Sequence, residues 1–115
     1  MKAVLKGIDC MHKDPVMYSG EDDGTINITL SLLIGPESES GSEYFDLFIC
    51  TPEWLCNHHW QPELIRHTLL VRKYDLAEIQ KTITDYIEQC EGNDWMEIAQ
   101  KLSRVFAWEY EDYQP

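Results

Sequence analysis

The clearest pattern in the chain is a strict alternation over residues 25–34, where Ile26, Ile28, Leu30 and Leu32 take turns with Thr25, Asn27, Thr29 and Ser31. Successive side chains of a strand point to opposite faces, so this period of two predicts a strand with one face in a core and one in water. Gly35-Pro36 closes it, and a polar connector over 37–42 follows. Residues 43–51 alternate again, with Tyr44, Leu47, Phe48 and Ile49 around Asp46, and predict a second long strand antiparallel to the first. An earlier strand is expected over 2–9 on Val4 and Ile8, and a further long one over 67–74 on Leu69, Leu70 and Val71. The stretch 10–24 is rich in Asp, Pro and Gly without helical periodicity and reads as a loop.

Helical signals interrupt and then replace the strands. Thr51 is a good N-cap and Pro52 suits the first helical position, where a missing N–H costs nothing. A short helix is therefore expected over Glu53, Trp54, Leu55 and Cys56, stopping near Trp60 ahead of Pro62. In the last third Leu76, Ile79, Ile83, Tyr86, Ile87 and Cys90 recur at steps of three and four, one stripe of a helix facing a core. Asp75 with Glu78 has the form of a capping box, and Gly92 reads as the stop. Asp94 with Glu97 repeats the start signal ahead of a second stripe, Trp95, Ile98, Ala99, Leu102, Val105 and Phe106. Strands first and helices last predict an α+β fold. It should have a mainly antiparallel sheet of about four strands, a short helix after the third strand, and two C-terminal amphipathic helices packed on one face. At 115 residues the chain is expected to form one domain, 1–115.

Charge narrows the function classes. Nine basic residues against 21 acidic ones give a net charge of −12. Phosphate binding needs clusters of Lys and Arg, and none is present, so nucleic acid and anionic membrane surfaces are unsuitable partners. A cationic partner would be attracted and its encounter rate raised. The acids gather in predicted loops and the tail: Glu21, Asp22 and Asp23; Glu37, Glu39 and Glu43; Glu109, Glu111 and Asp112. No apolar run approaches the ~20 residues of a membrane helix. Met1-Lys2-Ala3-Val4-Leu5-Lys6 lacks the apolar stretch of a secretory signal, so a cytoplasmic protein is expected. Cys10, Cys50, Cys56 and Cys90 are irregularly spaced, and reduced thiols are expected there.

Chemistry finds little to build on. Cys50, Cys56, His58 and His59 fall within ten residues and raise the question of zinc. Structural zinc sites pair their ligands as C-x2–4-C and H-x3–5-H, whereas here the cysteines are six apart and the histidines adjacent. A Cys–His nucleophile pair drawn from Cys50 or Cys56 with His58, His59 or His67 lacks a local group to orient the imidazole. A net negative field would also raise a thiol pKa. No phosphate-binding, dinucleotide-binding or nucleophile-elbow motif occurs. The reading is no enzyme, with no catalytic residue, metal, cofactor or small-molecule substrate; the rival is a small enzyme built on Cys50 to His59. Trp108-Glu109-Tyr110-Glu111-Asp112-Tyr113 alternates aromatic and acidic residues. It suits a final edge strand or arm packed on the body, or a binding segment for a basic partner.

At Cys50-Thr51-Pro52-Glu53-Trp54-Leu55, a strand end running into a Pro-started helix, the sequence resembles the immunity protein 8 family of bacterial polymorphic toxin systems. Ile34-Gly35-Pro36, Gly92-Asn93-Asp94-Trp95 and the aromatic–acidic tail continue the resemblance in order along nearly the whole chain. It implies an α+β protein that protects its cell by binding the C-terminal domain of a cognate secreted toxin, in contact-dependent or similar systems. It carries over no catalytic residue and no toxin contact. The charge argument alone nominates the toxin-binding residues: Glu21, Asp22, Asp23, Glu37, Glu39, Glu43, Glu109, Glu111 and Asp112, meeting a basic domain such as a nuclease. An acidic intracellular adaptor unrelated to toxins is the other alternative.

Overall fold

The computed structural model describes residues 1–111. The chain runs β1 (Ala3–Asp9), β2 (Asn27–Pro36), β3 (Glu43–Cys50), α1 (Pro52–His58), β4 (Thr68–Leu70), α2 (Leu76–Glu88), α3 (Trp95–Leu102) and β5 (Ala107–Trp108). The fold is α+β, with a sheet of order β1-β2-β3-β4 to which β5 is added along β3. The β2–β3 ladder holds the register Ile28↔Ile49, Leu30↔Leu47 and Leu32↔Phe45, and all six side chains are buried. Between these pairs the opposite face carries Thr29↔Phe48, Ser31↔Asp46 and Leu33↔Tyr44. β1 joins β2 antiparallel with a register shift between Leu5 and Gly7. That shift leaves Lys6 unpaired; its ammonium bonds the carbonyls of Glu39 and Gly41 and ties the β2–β3 connector down.

Ile79, Ile83 and Ile87 of α2 and Ile98, Ala99 and Leu102 of α3 meet the buried strand side chains in one core cluster, so both helices lie on one face of the sheet. Both start as expected: Asp75 accepts from the Glu78 N–H and Asp94 from the Glu97 N–H. The Glu97 carboxylate closes its box one residue early, on the Asn93 N–H at 3.0 Å. Thr51 is the N-cap of α1 but makes no side-chain cap bond. Its buried hydroxyl accepts the Ile26 N–H instead and pins the helix start to the strand that begins beside it.

The sheet is mainly antiparallel, as expected, with one parallel pairing, β4 along β3. After β3 the chain crosses through α1 before returning, so it re-enters in the same direction. The expected long strand over 67–74 shrinks to three residues. His67 enters it at φ 60, and beyond Val71 the chain turns away, with Tyr74 meeting the Tyr18 ring edge-on and donating its hydroxyl to the Pro15 carbonyl. The start of the aromatic–acidic tail forms a fifth strand, the edge-strand reading of that segment. Gly92 is not a left-handed cap; its carbonyl accepts the Met1 ammonium at 2.9 Å and its Cα packs on the Glu97 side chain.

β4 and β5 divide the outer edge of β3 between them. β4 takes Phe48, Ile49 and Cys50, and β5 takes Phe45 and Asp46. Trp108 stacks on Phe45 at 6.2 Å, and Trp95 of α3 meets the same ring edge-on. Both indole N–H groups converge on Glu43 Oε1, at 2.5 Å and 3.2 Å.

Two stability tests follow. Leu30→Ala empties a fully buried position between Ile28 and Leu32 and should cost about 2–5 kcal/mol in urea unfolding. Gly35→Ala should fold poorly, because a Cβ there would lie 2.1 Å from the Gly41 carbonyl oxygen. A loss within about 0.5 kcal/mol, the range of ordinary surface changes, would contradict that close approach.

Candidate functional site

The acids nominated from sequence separate into groups that the fold places apart. Glu21, Asp22 and Asp23 lie in the loop just before β2, at the Asn27↔Cys50 end of the ladder. Glu37 and Glu39 lie in the connector at its Ile34↔Glu43 end. The ladder between those ends is roughly 24 Å long at the ordinary strand rise. Asp112 lies outside the described residues.

Most of these carboxylates are already committed within the protein. Glu21 accepts from the Asn27 amide and the Tyr18 hydroxyl, with the Lys13 ammonium 3.5 Å away. Asp23 accepts from both the hydroxyl and the N–H of Thr25, which hold its carboxyl below the usual carboxylate range. Glu43 serves the two indoles. Glu109 accepts the Tyr44 N–H at 2.6 Å while its own N–H donates to the Tyr44 carbonyl, extending the β5 pairing. Glu111 pairs with Arg66 at 2.7 Å, and Arg66 also donates to the Ser103 carbonyl. Asp22, Glu37 and Glu39 are exposed, and no side-chain bond engages their carboxylates among the described residues. In this chain an acid in a loop is as often a fastener as a free charge.

The cysteine–histidine stretch does not converge. Cys50 is fully buried at the end of β3, and burial pushes its thiol up, the opposite of what a thiolate nucleophile needs. Cys56 is exposed. The His58 ring stacks on Trp54 at 4.3 Å with Nδ1 on the Trp54 carbonyl, whereas His59 Nδ1 meets Glu63. Among the described residues no group of three or more His, Cys, Asp or Glu side chains is placed to hold a metal ion.

The surface that sequence reasoning missed is the sheet face opposite the helices. Thr29, Tyr44 and Asp46 are exposed there, with Ser31, Leu33 and Phe48 half-buried between them. Its middle row crosses three strands as Asp9, Ser31 and Asp46, and Ser31 donates its hydroxyl to Asp46 Oδ1 at 2.9 Å. The α1 helix meets it where Trp54 packs edge-on against Phe48 at 5.0 Å, and the segment 10–13 borders it beside Ser31 and Asp46. The signal was present in the alternation itself, since each polar residue between two core residues faces outward.

The molecule is an α+β body with one packed and one open sheet face and acids at both ends of the β2–β3 ladder. The match to the family model of immunity protein 8 covers residues 3–113, and the chain belongs to that family. Neither curated protein sequences nor solved structures show a match to the chain. Among the described residues no helix is long and apolar enough to cross a membrane.

The Arg66–Glu111 pair yields a pH test. A hydrogen bond from Arg66 and its charge hold the Glu111 carboxyl below its ordinary value. The folded-state value is the lower one, so the pair stabilises fully above the ordinary glutamate pKa of ~4.3. That contribution is lost as pH falls through the depressed value. Both partners are partly exposed, which limits the effect to at most about 1 kcal/mol. The stability gap between the wild type and Glu111→Gln should be of that size at pH 7 and close towards pH 3. A gap that stays constant with pH would contradict the pairing.

Proposed function

We propose that the protein is the immunity partner of a secreted polymorphic toxin and neutralises the toxin domain by binding it one to one in the cytoplasm, with no catalytic step. The observation that carries this reading is the family match over 3–113. Membership of an immunity family implies a cognate toxin. The net charge of −12 supports a basic toxin domain, and a nuclease, which must attract phosphate, is the class that would present one.

In this account the acids set the field that draws the toxin in. Glu21, Asp23, Glu43, Glu109 and Glu111 contribute charge while fastening the fold, and Asp112 adds to the same tail. Asp22, Glu37 and Glu39 are free to make direct contacts with Lys or Arg of the toxin. Long-range attraction raises the association rate more than it lowers dissociation.

The test is co-expression with the toxin domain encoded immediately upstream. Cells should survive induction only when this chain is present, and the two proteins should co-purify one to one. Association measured in stopped flow should slow by roughly tenfold or more between 50 and 500 mM salt, as screening shortens the reach of the charges. Survival without any protection from this chain would refute the immunity reading. A salt-independent rate would refute acidic steering alone.

A further inference from the structure

We propose that the open face of the sheet, centred on Ser31 and Asp46, is the surface on which the toxin domain docks, with a basic side chain of the toxin seated against Asp46. This rests on the immunity reading above and adds where and how the toxin is held.

One face of the sheet is spent on the core under α2, α3 and Trp108. The other is built unlike a merely solvated face. It presents hydroxyls at Thr29 and Ser31, aromatic rings at Tyr44 and Phe48, and carboxylates at Asp9 and Asp46. Tyr44 keeps 48% of its surface exposed in the free protein. Rigid aromatic side chains are what stable protein interfaces favour at their centre. Because these residues sit on paired strands, binding need not order them first, which removes a cost that a loop would carry.

Charge says what kind of surface covers the face. Asp9 and Asp46 flank Ser31 from neighbouring strands, so they stand two strand spacings apart, about 10 Å. Two cations lie near this face and keep their charge, but among the described residues neither pairs with Asp9 or Asp46. Lys6 bonds the Glu39 and Gly41 carbonyls, and Lys13 bonds the Asn27 carbonyl and sits over the Tyr18 ring. Asp22 and the Glu37–Glu39 connector extend the negative field at the two ends of the same face. That span of roughly 24 Å is close to the width of a standard interface, which takes about 800 Å² from each partner. A basic protein surface is complementary in sign and in size.

Beside Asp46 the face dips into a cavity of about 330 Å³ whose lining joins Thr29, Ser31, Asp46 and Phe48 to His12 and Lys13, the Lys13 ammonium being held on the Asn27 carbonyl and 3.5 Å from Glu21. Ser31 occupies Asp46 Oδ1, leaving Oδ2 open. An arginine is the side chain that fits such a place. Its apolar stem can lie across Phe48 while its guanidinium donates to the carboxylate and the hydroxyls.

The test uses the full chain and the toxin domain encoded immediately upstream, with affinity from calorimetry and protection scored in cells. Asp46→Arg and Thr29→Arg change exposed positions, and each should weaken binding by about 100-fold or more through like-charge contact and lost complementarity. Their circular dichroism and unfolding midpoints should stay near the wild-type values. Should Asp46→Arg disturb the strand, Thr29→Arg alone decides. A second exposed apolar surface is the segment carrying Trp60, Leu64 and Ile65, at 84%, 102% and 53% exposure. Wild-type affinity in both arginine variants overturns the proposal, as does loss of binding in Leu64→Glu alone, which would assign docking to that segment. A wild-type chain that neither binds nor protects overturns the immunity reading and this surface with it.

Discussion

The register of β2 against β3 is the constraint on which the rest of the molecule depends. Pairing Leu30 with Leu47 and Leu32 with Phe45 sends every second side chain of both strands into the same core. The period of a strand is two, so a slip of one residue would exchange the two faces completely. The dry face and the wet face are therefore set by one alignment. The helices pack where Ile28, Leu30, Leu32 and Ile34 point, and the surface left open is the one where Thr29, Ser31, Tyr44 and Asp46 point.

The second constraint is the closing of β3's outer edge. An open edge in a central position would expose unpaired N–H and C=O groups to other chains. Here two short pieces from distant parts of the sequence share the task, and polar bonds hold each piece. Glu43 joins the indoles of Trp95 and Trp108, Glu109 bonds the backbone of Tyr44, and Glu111 ties to Arg66. An acidic chain thus uses a good part of its negative charge as internal fasteners, and leaves Asp22, Glu37 and Glu39 unbonded at the ends of the sheet. Net charge describes the field a partner meets at a distance; it does not identify the residues that touch it.

How much was legible from sequence follows the range of the interactions. Alternation in 25–34 and 43–50, the helical stripes from Leu76 and Trp95, and the starts at Thr51, Asp75 and Asp94 are local signals, and the elements stand where they point. The parallel pairing of β4, its termination after Leu70 and the choice of β3 as the partner of β5 are set by contacts between residues far apart, such as Tyr74 with Pro15 and Trp108 with Phe45. No local pattern records those. The candidate site was read from the abundance of acids, which cannot distinguish Glu39, free at a loop, from Glu43, bonded to two tryptophans. The open face was legible in principle at Thr29, Ser31 and Asp46, whose places in the alternation already turned them away from the core.

The claim that one sheet face folds the protein and the other holds its partner can be tested most directly by methyl-resolved NMR of the labelled chain during titration with its cognate toxin domain. The methyl groups of Thr29 and Leu33, on the open face, should shift or broaden at stoichiometric toxin, while those of Ile83 and Ile98, beneath the helices, stay in place. Perturbations confined to Leu64 and Ile65, or an unchanged spectrum from a toxin that is nonetheless neutralised, would contradict it.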